Sequence, residues 1–417
     1  MTADSAAGGP PNGYEVPQQY LERYGDLLIN FALGGGAGIK PGDVVQIIAS
    51  EAARPLYAEL CRAAWRAGGN VIHDYRPDDD KHLNLTRDFY ELASPDQLEF
   101  FPSRYHRGVV DEIDHYVYVR SDADPHALRG VDPAKLLAHQ RSYGPLIAWE
   151  SAKESAGRLT WTIGLYGTAA MAAEAGLSTE DYWREIIRAC FLDQPDPKLR
   201  WREVGEQLAK FTEALDALPI DRLHVVGEDA DLWLTLGDHR RWIGGGGRNI
   251  PSFEVFTSPD WRGTEGRIRF SEPLYIYGSL ITGIELEFHA GVVTRASAEQ
   301  NEDLLLEMLA TENANRIGEF SLTDARLSPI SHFMAETLFD ENMGGPFGNT
   351  HIAVGKSIPH CYDGDPDTLS RSDWEQLGFN DSVIHTDIVS TTDREVTAVM
   401  RDGSRRTIYA GGRFELD

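Results

Sequence analysis

DVVQIIAS (43–50), ARPLYAELCRAAWRAGG (53–69) and NVIHDYR (70–76) are the segments whose reading decides the fold of this chain. The first and third are short apolar runs rich in β-branched residues, the pattern of buried strands. The segment between them carries apolar residues at helical spacing and stops on two glycines, which end a helix readily. HYVYVRSD (115–122) reads as a third strand of the same kind. Strand alternating with helix predicts an open, mostly parallel α/β sheet, because parallel neighbours need a crossover that a helix supplies.

Upstream, YLERYGDLLINFAL (20–33) has helical periodicity and GGGAGIKPGD (34–43) is a loop. These glycines precede the strand, whereas a dinucleotide-binding fingerprint needs them between a strand and the helix that follows. They serve as a helix stop and turn. Residues 1–16 are rich in Gly, Pro and Ala and are expected to form a disordered tail.

Downstream, helices are expected near Pro95–Tyr105 and over 133–156 and 167–192, and LHVVGED (223–229) and DLWLTLG (231–237) read as paired strands. The glycine-rich RRWIGGGGRN (240–249) then marks a boundary, giving an N-terminal α/β domain over 17–243 and a C-terminal α+β domain over 244–417. In the second part, residues 267–297 are β-rich, and GIELEFHAGVV (283–293) alternates around Ala-Gly as a hairpin does. Helices are expected near 298–312 and 331–339, and strands at 393–400 and 404–410.

A chain of 417 residues exceeds what one core usually supports, which also argues for two domains. Its 39 basic and 66 acidic residues leave a net charge of −27, which excludes nucleic acid and anionic membranes as expected partners. The same surface attracts cations, including a free α-ammonium group. Cys61, Cys190 and Cys361 are odd in number and far apart, so neither a disulfide framework nor a thiolate zinc site is expected. The N-terminus lacks the basic and apolar regions of a signal peptide, and no apolar run reaches membrane-span length. A cytoplasmic location is expected.

The chemistry concentrates between Asn249 and Asp387. Glu254 lies in SFEVFT, Glu319 in RIGEFSL and Glu341 in TLFDEN; His351 heads HIAVG, and His385 and Asp387 form a His-x-Asp pair. Residues two apart in a strand share a face, so His385 and Asp387 can meet one ion. A carboxylate in an apolar strand is costly unless paired or metal-bound, though either glutamate on an exposed strand face could simply be solvated. Oxygen ligands mixed with imidazole suit zinc, cobalt or manganese. Six candidates are too many for one ion with an open position and suit two divalent ions sharing a carboxylate.

These stretches resemble the family of metallo-aminopeptidases typified by aminopeptidase T, aminopeptidase S and aminopeptidase II. NIPSFEVFTSP (249–259) is similar to its N-x-P-x-x-E-V-F-T-x-P motif, and RIGEF, TLFDEN, HIAVG and His-Thr-Asp match further motifs in order. Upstream, residues 158–183 and ACFLD (189–193) extend the resemblance over nearly the whole chain beyond the tail. The resemblance implies a dimeric, two-domain exopeptidase that binds two divalent ions and removes residues from peptides with a free N-terminus. It also implies Glu254, Glu319, His351, His385 and Asp387 as metal ligands, with Glu319 bridging and Glu341 a further ligand or the general base.

One position departs from that pattern. The family carries a tyrosine seven residues after the first motif histidine, where this chain has Ile358. Isoleucine donates no hydrogen bond, and loss of one such donor costs about 10²–10³ in rate. Lys356, His360 and Tyr362 are the nearby alternatives. Two rival readings follow. His351, His385 and Asp387 alone would make the triad of a ring-cleaving non-haem iron dioxygenase, though three further carboxylates argue against a single iron. Ile358 would fit a silent homologue that binds metal and peptide without turnover.

Overall fold

The computed structural model describes residues 14–416 apart from 80–82, 246–248 and 277. Residues 1–13 of the expected tail lie outside that range, whereas Tyr14 and Val16 pack against the core.

The three expected strands are β1 (Val44–Ser50), β2 (Asn70–Arg76) and β3 (His115–Arg120), and a fourth, β4 (Thr160–Leu165), joins them. Their order is β2-β1-β3-β4 and every pairing is parallel. The helix Arg54–Arg66 makes the β1–β2 crossover and buries Leu56, Leu60, Ala63 and Ala64, the helical stripe visible in the sequence. Helices Thr179–Ala189 and Pro197–Asp216 follow. The second is twenty residues long and lies outside the helices expected from periodicity, although Asp196 caps it by accepting from the Leu199 amide and Pro197 opens it.

From here the sheets are antiparallel. Strands β5 (Ile220–Gly227), β6 (Ala230–Thr235), β7 (Ile243–Gly244), β8 (Glu254–Thr257), β9 (Asp260–Arg269), β10 (Leu274–Ile276), β11 (Ser279–Ile281), β12 (Glu285–His289) and β13 (Val292–Ser297) come first. They are followed by β14 (Ile317–Thr323), β15 (Asn349–Gly355), β16 (His385–Ser390), β17 (Arg394–Met400), β18 (Arg405–Ala410) and β19 (Arg413–Phe414). An eight-stranded sheet runs β13-β12-β9-β6-β5-β17-β18-β19 and a five-stranded one runs β16-β15-β14-β8-β7. The β12–β13 hairpin turns at Ala290 and Gly291, both with positive φ, as the Ala-Gly signal suggested.

The pair β5–β6 forms as expected, but its outer partners are β17 and β9. It therefore belongs with the C-terminal sheets, and the change from parallel to antiparallel architecture falls between β4 and β5, ahead of the boundary expected at 243. Local pattern shows that two strands pair; it does not show which sheet their outer edges join. The helix expected at 331–339 is a single turn, Thr337–Asp340. The three cysteines are free and buried, and among the described residues no helix is long and apolar enough to cross a membrane.

The helix Pro197–Asp216 packs against β7 and β8. Trp201 on it stacks on Phe253 with ring centroids 5.0 Å apart, so the residue before Glu254 is clamped from below.

Candidate metal centre

Glu254, Glu319, His351 and the pair His385/Asp387 come from β8, β14, β15 and β16, four adjacent strands of the five-stranded sheet. Register explains their convergence. Glu319 and Asp387 both lie opposite Ala353, one on each side, and His351 is two residues from Ala353 on the same face. Ala353 contributes only a methyl group between the two carboxylates. A bulge at Gly318 aims Glu319, and a Cβ there would lie 2.3 Å from the Lys356 carbonyl oxygen.

His351 Nε2 lies 3.4 Å from Glu254 Oε2, 3.6 Å from Glu319 Oε1 and 3.9 Å from Asp387 Oδ1. His385 Nε2 lies 3.7 Å from both Glu319 Oε2 and Asp387 Oδ1. Glu319 thus turns one oxygen to each imidazole. Both rings are fixed from behind. His351 Nδ1 is 3.3 Å from Asn349 Oδ1, and His385 Nδ1 is 2.7 Å from the Lys356 carbonyl oxygen. With each Nδ1–H donating backwards, each Nε2 is the nitrogen turned towards the carboxylates, and it offers a lone pair to an ion once its proton is released.

Glu254, Glu319, His351 and Asp387 are buried, and the side chain of His385 is 29% exposed. The solvated-strand reading of the two glutamates is therefore set aside. His351 Nε2 and Asp387 Oδ1 are buried without a hydrogen-bond partner. Most of the separations above are too long for hydrogen bonds. They suit neighbouring ligands of a shared ion, which lie about 3.3–3.6 Å apart when each bond is about 2.0–2.2 Å. Glu254, Glu319 and His351 each offer an atom within 4.8 Å of the others, so the donor set fits a divalent ion.

The electrostatics agree. Burial, reinforced by Asp387, pushes the Glu319 carboxyl up to about 7. Burial alone would lower His351, but the Glu254 and Glu319 carboxylates override it and push the imidazole up to about 10. His385 is raised too, by Asp387 and Glu319, against its removal from bulk water. A site that holds protons this firmly when metal-free is one that wants positive charge.

Glu341 follows the one-turn helix Thr337–Asp340 and is buried, outside the tight three-residue group. Burial first, then the charges of Glu254, Asp387 and Glu319, raise its carboxyl well above the usual range. Asn342 Nδ2 is 3.3 Å from Glu341 Oε1, while Asn342 Oδ1 accepts from the Phe253 amide at 2.5 Å. Asn349 Nδ2 donates to the Glu341 carbonyl at 2.9 Å. Two asparagines thus tie Glu341 to the strands that bear Glu254 and His351. Neither asparagine stands out in the sequence, although strand periodicity puts Asn349 on the face of His351.

Around Ile358, the backbone amide donates to Ser258 Oγ at 2.8 Å. Of the alternatives, the Lys356 side chain is exposed and the Tyr362 ring meets His239 and Trp374 edge-on. His360 offers its carbonyl to Arg241 Nε at 2.7 Å.

The chain matches the family described as thermophilic metalloprotease (M29) over residues 17–414. It is 30% identical to aminopeptidase T of Thermus thermophilus over 93% of this chain and 98% of that protein. It is 27% identical to aminopeptidase 2 of Geobacillus stearothermophilus over 96% of this chain and 98% of that one. The solved structure of wild-type AmpT from Thermus thermophilus superposes with a TM-score of 0.79 at 26% identity, covering 95% of this chain and 99% of that one.

Proposed function

Because the chain belongs to the thermophilic metalloprotease (M29) family, a metallopeptidase family whose matched relatives are aminopeptidases, it is a metal-dependent aminopeptidase, and we propose that it works through two divalent ions held side by side. The observation that carries this reading is Glu319, which faces His351 with one oxygen and His385 with the other. Glu254 faces His351, while Asp387 Oδ1 stands between the two histidines, so the imidazoles share Glu319 and Asp387 and only His351 has a further carboxylate beside it. Four buried carboxylates, with Glu341 counted, match the charge of two divalent ions. A single iron held by His351, His385 and Asp387 leaves Glu254 and Glu319 unused.

Bound ions of this kind acidify a water and polarise a scissile carbonyl. The protein supplies the rest. Glu341, with its raised proton affinity, takes the proton from the attacking water and returns it to the leaving amine. The acidic surroundings receive the substrate's free α-ammonium group, which restricts cleavage to the N-terminal bond. The Nδ1 anchors at Asn349 and Lys356 keep both imidazoles oriented through the cycle. Zinc, cobalt or manganese fits the oxygen and imidazole donors. The substrates are peptides with a free N-terminus, and the working form is a cytoplasmic homodimer.

The test is hydrolysis of aminoacyl-anilides and short peptides by metal-stripped protein to which zinc, cobalt, manganese or ferrous iron is returned. Metal per chain is measured alongside, and Glu341→Gln is the control. Turnover restored with about two ions per chain and lost in Glu341→Gln supports the reading. Two ions bound without turnover on any substrate would overturn it in favour of a silent homologue, and activity tied to one iron would favour the oxygenase.

A further inference from the structure

Glu341 follows a segment that the helix Thr179–Ala189 and the end of β3 hold in place. Tyr182 Oη donates to the Met334 carbonyl at 3.0 Å, and Arg188 donates to the Pro329 carbonyl at 2.6 Å. Glu185 accepts from the Ser331 amide at 3.3 Å. All three come from the helix Thr179–Ala189 and hold backbone upstream of Ala335. Ala335 itself has φ +51°, a conformation a residue with a Cβ adopts only when its surroundings enforce it.

Beyond that strained residue the grip changes in kind. Arg120, the last residue of β3, places its guanidinium Nε 2.7 Å from Glu336 Oε1. Glu336 is 4% exposed, and Arg120 42%. Asp340, also buried, accepts from the Met334 amide at 2.6 Å and the Glu336 amide at 2.9 Å, bracing the turn on both sides of Ala335. Between Glu336 and Glu341 lies only the single helical turn, closed by the Glu341 amide on the Thr337 carbonyl at 3.0 Å. A shift at Glu336 therefore passes to Glu341 with no loop to absorb it.

We propose that Arg120 is a positioning residue for Glu341: through its ion pair with Glu336 it fixes the exit of the strained turn at Ala335 and thereby the placement of the Glu341 carboxylate beside the metal ligands. This rests on the reading of Glu341 as the group that moves the proton. It gives the parallel sheet, which supplies none of the proposed ligands, a direct part in turnover.

Four full-length variants reloaded with metal test it: Arg120→Lys, Arg120→Ala, the double variant Arg120→Ala/Glu336→Gln, and Glu341→Gln as reference. Melting temperature, metal per chain, kcat and KM are read for each. Arg120→Ala leaves a buried carboxylate unpaired and is expected to fold poorly; the double variant removes that charge and keeps the measurement interpretable. In the double variant, metal content and KM stay near wild type while kcat falls about ten- to a hundredfold. Arg120→Lys, which keeps the charge, recovers most of that loss. Unchanged kcat in a folded, metal-loaded double variant overturns the positioning role while Glu341→Gln, inactive, leaves the function intact. A fall in kcat that follows loss of metal also overturns it, because the pair would then support the ligands and not Glu341. If Glu341→Gln retains turnover, the reading of Glu341 itself falls.

Discussion

Two histidines on interior strands show how differently the two kinds of sheet use burial. His115, on β3 of the parallel sheet, is 7% exposed and His351, on β15, is 1% exposed. Both nitrogens of His115 are satisfied, Nδ1 by Thr160 Oγ1 at 2.7 Å and Nε2 by Asp43 Oδ2 at 3.0 Å. His351 has one satisfied nitrogen and one that faces three carboxylates with no hydrogen bond. The first imidazole completes a structure. The second is held ready for something the chain does not itself contain. Burial separates neither; the disposition of the second nitrogen does.

The comparison is broken most directly by alanine at each position. His351→Ala is expected to abolish turnover and reduce metal bound per chain, whereas His115→Ala keeps metal content and kcat and loses about 1–3 kcal/mol of stability from its orphaned partners. Equal loss of metal in both would refute the distinction; elemental analysis and melting curves decide it. Next in size, Glu341→Gln lowers kcat about 10²–10⁴-fold with metal content unchanged, as expected for a proton-transfer group that is not a principal ligand. Loss of an ion in that variant would move Glu341 into the ligand set.

Asn349→Ala sharpens the comparison by freeing His351 Nδ1. Metal affinity should fall about 10–100-fold in a competition titration with a chelator, the effect typical of removing a group behind a ligand. Unchanged affinity would mean that the sheet alone orients the ring. The smallest effect is in pH. In metal-stripped protein Glu319 is raised from 4.5 to about 7 and His351 from 6.5 to about 10, so the folded chain holds protons that the unfolded chain releases. Stability from these groups is complete below their ordinary values and is lost as pH rises, through about 7 for Glu319 and about 10 for His351. The melting temperature of the metal-free protein should therefore decline from pH 5 towards 10, and returning metal should recover most at the alkaline end. A melting temperature that rises over this span would show that the centre is not the electrostatic frustration described above.

Much of this was legible in the residues alone, for definable reasons. Strands β1 to β3 and the helix Arg54–Arg66 carry local periodicity, and local periodicity is what a sequence displays. Thr160–Leu165 does not stand out as a strand because TWTIGL is short and lies between helical stretches. Pro197–Asp216 does not stand out as a helix because its charged residues dilute the apolar stripe of Trp201, Val204, Leu208 and Leu215. The six candidate residues were visible as polar groups in apolar settings, and the ordered motifs strengthened them. Which of them share a face across four strands was not visible, because that depends on a bulge at Gly318 and on pairings between residues far apart in the chain. The roles of Asn342 and Asn349 are likewise properties of register. The placement of β5 and β6 depended on β17, more than a hundred and fifty residues later in the chain.

That last pairing governs the order in which the molecule can be completed during synthesis. β5 has β6 on one side from the moment both are made, but its other edge stays open until Arg394–Met400 leaves the ribosome. His385 and Asp387 emerge only just before. A nascent chain can close its parallel sheet early while the candidate metal centre stays incomplete until β16 has been made. An enzyme that trims N-termini thus gains its candidate ligands long after its parallel sheet has been made.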